Sequence, residues 1–152
     1  MTRGRHPDQG RALAEPVARR RGTVHMIEPG KNTLLDLVIT GSGLLSAVTI
    51  RRAQRLYAPL PVLETEFSDL ICEVRLLPGG GPVTREIWWY NRNGRLRFFC
   101  IDETGLVELA PDGTPLPAGT TDAKKTRGQK SLTAASPGAV PAESSGGEHH
   151  DT

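Results

Sequence analysis

The chain has 152 residues, a formal net charge of +2 and 37% hydrophobic residues. That length allows one domain with a single core, and so small a charge does not by itself point to nucleic acid or a membrane. No stretch reaches the run of about 18 apolar residues that a spanning helix needs, and the opening residues lack the apolar centre of a signal peptide, so a soluble cytoplasmic protein without a membrane partner is the expectation.

Met1 to Asp8 is polar and reads as a flexible terminus. "DQGRALAEPVARRRG" then suggests a short helix, with Leu13 and Val17 one turn apart and Pro16 interrupting it unless the helix begins there. "TVHMIEP" is a short strand stopped by Pro29-Gly30. "LLDLVIT" and "LLSAVTIRR" are two β-branched runs joined by Gly-Ser-Gly, a hairpin whose near-continuous apolar character suits strands covered on both faces. "LPVLETEFSDLICEVRLL" predicts one amphipathic helix, its stripe running Leu63, Phe67, Leu70, Val74, Leu77, with Pro61 at the start and Pro78 onward as the stop. "EIWWYN" and "RLRFFCI" form a hairpin about Asn93-Gly94, and "DETG" turns into "LVELA".

From Pro111 the composition changes. Of the 42 residues to Thr152, 21 are Pro, Gly, Ser or Thr and no aromatic remains, too little apolar surface to offset the entropy of ordering. The organisation read from this is a flexible 1–8, an α/β domain over 9–110 and a disordered 111–152. The charge divides similarly: 15 basic and 12 acidic residues to Ala110, then 4 and 5. Cys72 and Cys100 lie in separate elements without CxxC spacing and read as two small buried hydrophobes in a reducing compartment.

Asp36 is the residue that the pattern does not explain, an acid within an apolar strand. Its partner strand ends in Thr49-Ile50-Arg51-Arg52. Metal-dependent phosphodiester hydrolysis needs carboxylates converging on a divalent ion. A hairpin can build such a site from an acid on one strand and Glu-x-Lys on the next, since alternate strand residues share a face.

The order helix, three strands, helix, strand, with an acid in the second strand and a charged i, i+2 position closing the third, resembles the PD-(D/E)xK nuclease superfamily, including small archaeal Holliday-junction-resolvase-like members. The resemblance covers about Arg11 to Leu109. It implies a restriction-endonuclease-like core, a mixed β-sheet flanked by helices, with the final strands as a meander. It implies catalytic positions at Asp36, Thr49 and Arg51, with Arg52 as a following basic residue, and Mg²⁺ as the cofactor if the site is active. The chain departs from the motif. Thr49 stands where a second carboxylate belongs, and Arg51 stands for the lysine; arginine stays protonated and cannot act as a base, though it can hold phosphate by a bidentate fork. A displaced carboxylate is then needed from Glu28, Glu64 or Glu66, with Asp36 and Glu64 as the metal pair.

Elsewhere the residues admit two readings each. Arg51, Arg52, Arg95 and Arg97 are the nucleic-acid-binding candidates, with Arg95 and Arg97 on one strand face. Trp88 and Trp89 point to opposite sides, so one is core and the other is at least partly accessible, open to stacking on bases. Arg19 to Arg21 either touch a nucleic-acid backbone or close a helix. No Ser-His-Asp set, phosphate-binding glycine loop or dinucleotide fingerprint is present. Three functions follow: a catalytically degenerate nuclease fold that binds nucleic acid or a protein, an active Mg²⁺-dependent endonuclease, or an unrelated α+β interaction domain. DNA and a second copy of the chain are the candidate partners.

Overall fold

The computed structural model describes residues 8–118. Of the flexible terminus expected over 1–8 and the disordered tail expected over 111–152, residues 1–7 and 119–152 lie outside the described residues. Six strands form one mixed sheet in chain order: β1 (Thr23–Met26), β2 (Leu37–Gly41), β3 (Leu44–Arg52), β4 (Val83–Tyr90), β5 (Leu96–Ile101) and β6 (Leu106–Leu109). All neighbours are antiparallel except β3 and β4, which run parallel. Parallel neighbours cannot be joined by a tight turn. Two helices, α2 (Leu60–Glu66) and α3 (Ser68–Arg75), fill the crossover, and α1 (Asp8–Arg21) precedes the sheet.

Strand alternation divides the core in two. Val48, Ile50, Trp88, Tyr90 and Phe98 pack with Ala14 and Ala18 of α1. Ile87, Trp89, Phe99 and Ile101 pack with Leu63, Ile71 and Val74 of α2 and α3. A helix layer therefore covers each face, which corrects the expectation for the tryptophans. Trp88 and Trp89 do face opposite sides, yet both are fully buried. Trp88 meets Phe98 edge-on at 4.8 Å, and Trp89 lies 4.8 Å from both Phe67 and Phe99. Neither is free to stack on a base.

Three predicted elements are corrected. Helix α1 runs unbroken through Pro16. Pro16 has no N–H to give the Ala12 carbonyl, but both residues are exposed, so water can serve that carbonyl, while buried Gly10, Ala14 and Ala18 hold the opposite face on the sheet. The single helix expected from Pro61 is divided at Phe67, whose φ of −111° and ψ of 22° leave the helical region. The backbone stays satisfied across the break: Phe67 N–H donates to Leu63 O, and Ile71 N–H donates to Phe67 O. The buried stripe becomes Leu63, Ile71 and Val74, and Phe67 turns its ring onto Trp89. Finally, the domain does not stop at Ala110. Leu116 N–H donates to Glu108 O and Ala110 N–H to Thr114 O, both at 2.8 Å, so the chain past β6 folds back along it.

The turns follow from their residues. Ser42 and Gly43 have φ of 43° and 76° and close the β2–β3 hairpin in two residues, the left-handed pair that matches strand twist. The β4–β5 hairpin uses three residues, Arg92, Asn93 and Gly94, with Gly94 at φ 75°. Asn91 Oδ1 accepts from Asn93 N–H and Arg95 N–H, which fixes that loop. Both cysteines are free; Cys100 is half-buried, but Cys72 sits on the exposed side of α3, against expectation. No helix of the described residues is long and apolar enough to cross a membrane.

Candidate functional site

Asp36 lies one residue before β2 rather than inside it, and it is 6% exposed. Its backbone extends the sheet, donating to Val48 O at 2.9 Å and accepting from Ile27 N–H at 3.0 Å. Its side chain serves the neighbouring strand: Oδ2 accepts from Ile50 N–H at 2.7 Å, taking the place of a strand carbonyl where β2 has not yet begun. Oδ2 also accepts from Arg51 Nη1 at 2.8 Å. Oδ1 accepts from Nε and Nη2 of Arg11 at 3.3 and 3.2 Å. Arg11 and Arg51 are each anchored further, to Ile27 O and Ile50 O. Thr49, fully buried, donates its hydroxyl to Leu34 O at 3.0 Å, a carbonyl that Arg51 also reaches. The three motif positions Asp36, Thr49 and Arg51 thus share one corner of the sheet.

This corner does not fit Mg²⁺. A carboxylate offers about four lone-pair sites, and four N–H groups already point at those of Asp36. A dication there would face two guanidinium groups at hydrogen-bonding range. The acids proposed to complete a site are elsewhere engaged: Glu64 Oε1 accepts from Leu106 N–H at 3.4 Å, and Glu66 pairs with Arg55 at 3.2 Å. Glu28 is exposed at the end of β1. Among the described residues no three His, Cys, Asp or Glu side chains gather as a metal-binding group.

The arginines divide into structural and free. Arg97, expected on a nucleic-acid face, is 5% exposed and forks onto both oxygens of Glu108 at 2.8 and 2.9 Å, with Nη1 on Leu56 O. It is part of the core, and it shares no open face with Arg95. Arg19 pairs with Glu15, Arg20 reaches Pro16 O, and Arg21 enters the interior. There Arg21 Nη1 meets buried Glu86 at 2.7 Å, while its guanidinium lies 4.8 Å above the Trp88 ring. Glu86 also accepts from Trp88 Nε1 and Thr84 Oγ1. Neither Arg11 nor the Arg21–Glu86 pair was apparent from the sequence, since partners 25 and 65 residues apart leave no local spacing to read.

Arg52 and Arg95 are exposed, and neither has an ion-pair partner among the described residues; the same holds for Arg92. Arg52 pairs with Tyr90 at the shared carboxyl end of the parallel strands β3 and β4. Just beyond, a polar cleft of about 450 Å³ is lined by Arg52, Ala53, Gln54, Asn91, Arg92 and Asn93.

No protein-family model, curated protein or solved structure matches the chain. The geometry of the site offers two features at one end of the sheet: a carboxylate corner held by two arginines and an open basic cleft.

Proposed function

We propose that the chain is a catalytically silent domain with a restriction-endonuclease-like core, and that it binds nucleic acid without cutting it. The observation that carries this reading is the double arginine clamp on Asp36. The element order supports it: one helix, three antiparallel strands, a helical crossover and a parallel fourth strand, which is the order the resemblance implies. The meeting of Asp36 with Arg51 supports it further, because a degenerate motif would keep its positions together while losing its chemistry. Thr49 supplies no second carboxylate, and Arg51 offers no base. The open arginines beside this corner supply the attraction for an anionic backbone.

The test is incubation of the purified chain with supercoiled plasmid and labelled branched DNA, in Mg²⁺ or Mn²⁺, beside Asp36→Ala. The expected result is binding with no cutting by either protein. Metal-dependent cutting that disappears in Asp36→Ala would overturn the reading and return Asp36 to the role of ligand.

A further inference from the structure

We propose that the cleft beyond β3 and β4 is a phosphate-binding site, and that its occupant is the backbone of a nucleic acid. The inference rests on the reading above and adds the surface and the group recognised. Its first support is the chemistry of the lining. Two guanidinium groups, Arg52 and Arg92, share it with three carboxamides, and no acidic side chain lines it. Six other arginines of the described chain, Arg11, Arg19, Arg21, Arg51, Arg55 and Arg97, each have a carboxylate within ion-pair range. Arg52 and Arg92 have none among the described residues, which is true also of Arg20, Arg75, Arg85 and Arg95, but of these six only Arg52 and Arg92 line the cleft. Of the amides, Asn91 spends its oxygen on its own loop, which leaves its NH₂ group as a donor.

Its second support is rigidity. Ala53 is 1% exposed, and its N–H donates to Tyr90 O at 2.9 Å, which fixes the chain between Arg52 and Gln54. On the other wall, Asn91 N–H donates to Arg95 O and Gly94 N–H to Asn91 O, closing the loop that carries Arg92 and Asn93. Backbone held in this way lowers the ordering cost of binding. The site also lies at the carboxyl ends of the parallel pair β3 and β4. A phosphodiester presents two charged oxygens that the guanidinium forks and amide donors can serve together.

The chemistry would admit a free phosphate monoester as well as a backbone phosphodiester, and the experiment separates them. The full chain is titrated with a labelled single strand and a labelled duplex of mixed sequence over a series of salt concentrations. The comparison is with Arg52→Glu/Arg92→Glu and with a control of equal charge change, Lys31→Glu/Arg75→Glu, at exposed positions away from the cleft lining. Inorganic phosphate is titrated in parallel, following the amide resonances of Arg92, Asn93 and Gly94. Loss of two backbone contacts is expected to weaken binding about tenfold or more at low salt and to reduce the duplex salt slope by about 1.8, with a smaller effect in the control. Equal weakening in both double variants overturns the site and leaves the nucleic-acid reading standing. Phosphate shifts at the loop with no binding of either strand form keep the phosphate site but overturn its backbone occupant, and with it the proposed function. No shift and no binding overturns both. Arg52→Gln/Arg92→Gln removes the same two contacts without reversing charge, so it is expected to reduce the duplex slope by about 1.8 as well, with a smaller loss of affinity than the glutamate pair.

Discussion

Asp36 and Glu86 are buried carboxylates that meet arginines of α1, but they differ in redundancy. Glu86 has one described guanidinium, that of Arg21, in a pair whose side chains are 7% and 3% exposed. Asp36 has Arg11, Arg51 and the Ile50 N–H. Removing one partner of a deeply buried pair strands the other charge and costs about 3–5 kcal/mol, so Arg21→Ala is expected in that range. Arg51→Ala leaves Asp36 a cation and a backbone donor, and less than about 2 kcal/mol is expected, the scale of one charged hydrogen bond. Urea unfolding midpoints check the order; an Arg51→Ala cost matching that of Arg21→Ala would show that Arg11 cannot hold Asp36 alone. The cysteines give a second prediction. Burial pushes the Cys100 thiol up, helped by the charges of Glu86 and Asp102. A raised thiol has less thiolate at mildly alkaline pH and reacts more slowly. Iodoacetamide is expected to label exposed Cys72 first, with the two rates converging in denaturant. Faster labelling of Cys100 in the native protein would contradict its half-buried setting.

At the scale of elements, α1 docks through small residues one turn apart, Gly10, Ala14 and Ala18, and this closeness can be tested at Gly10. A Cβ there would come within 2.6 Å of Tyr90 Cε1 and 2.9 Å of Ile50 Cγ2. Helix propensity alone favours Ala over Gly by about 1 kcal/mol, so propensity and packing predict opposite signs. Tyr90 is held in the core and cannot swing away, so Gly10→Ala is expected to lower the thermal midpoint. A rise would mean that α1 lifts without loss. The elements themselves were largely legible in the sequence, because periodicity and turn chemistry are local. Gly94 and the Ser42-Gly43 pair mark two hairpins in which a left-handed backbone is needed. The break at Phe67 was not legible. The stripe from Leu63 to Leu77 keeps helical spacing across it, and only contact with Trp89, from a strand later in the chain, gives Phe67 its reason to leave the helix. The burial of both tryptophans was hidden for a related reason: alternation tells which side a residue faces, not whether a second helix layer covers that side.

Across the whole molecule, the sheet brings distant segments to one place, and that decides what of the site could be read beforehand. Asp36, Thr49 and Arg51 were visible because a hairpin joins them. Arg11 and the Arg92 wall of the cleft arrive through topology, so no motif contained them. The same closure ties the two ends of the described chain together. Arg21, at the end of α1, donates through Nε to Pro111 O at 2.8 Å and through Nη2 to Ala110 O at 3.3 Å, while Nη1 holds Glu86. One planar fork therefore links the first helix, β4 and the segment that follows β6. Lysine would keep the charge opposite Glu86 but could not span three acceptors in fixed directions. Arg21→Lys should accordingly loosen the returning segment more than the central sheet. In native-state hydrogen exchange, the Ala110 and Leu116 amides are expected to be protected in the parent chain, each having a carbonyl acceptor at 2.8 Å. In Arg21→Lys their protection should fall while Trp88 and Phe99, on central strands, keep most of theirs, the pattern of a local opening below the global unfolding free energy. A uniform fall at all four amides would show instead that the segment opens only with the whole domain, and that Arg21 acts on the core through Glu86 rather than as a clasp on the chain beyond β6.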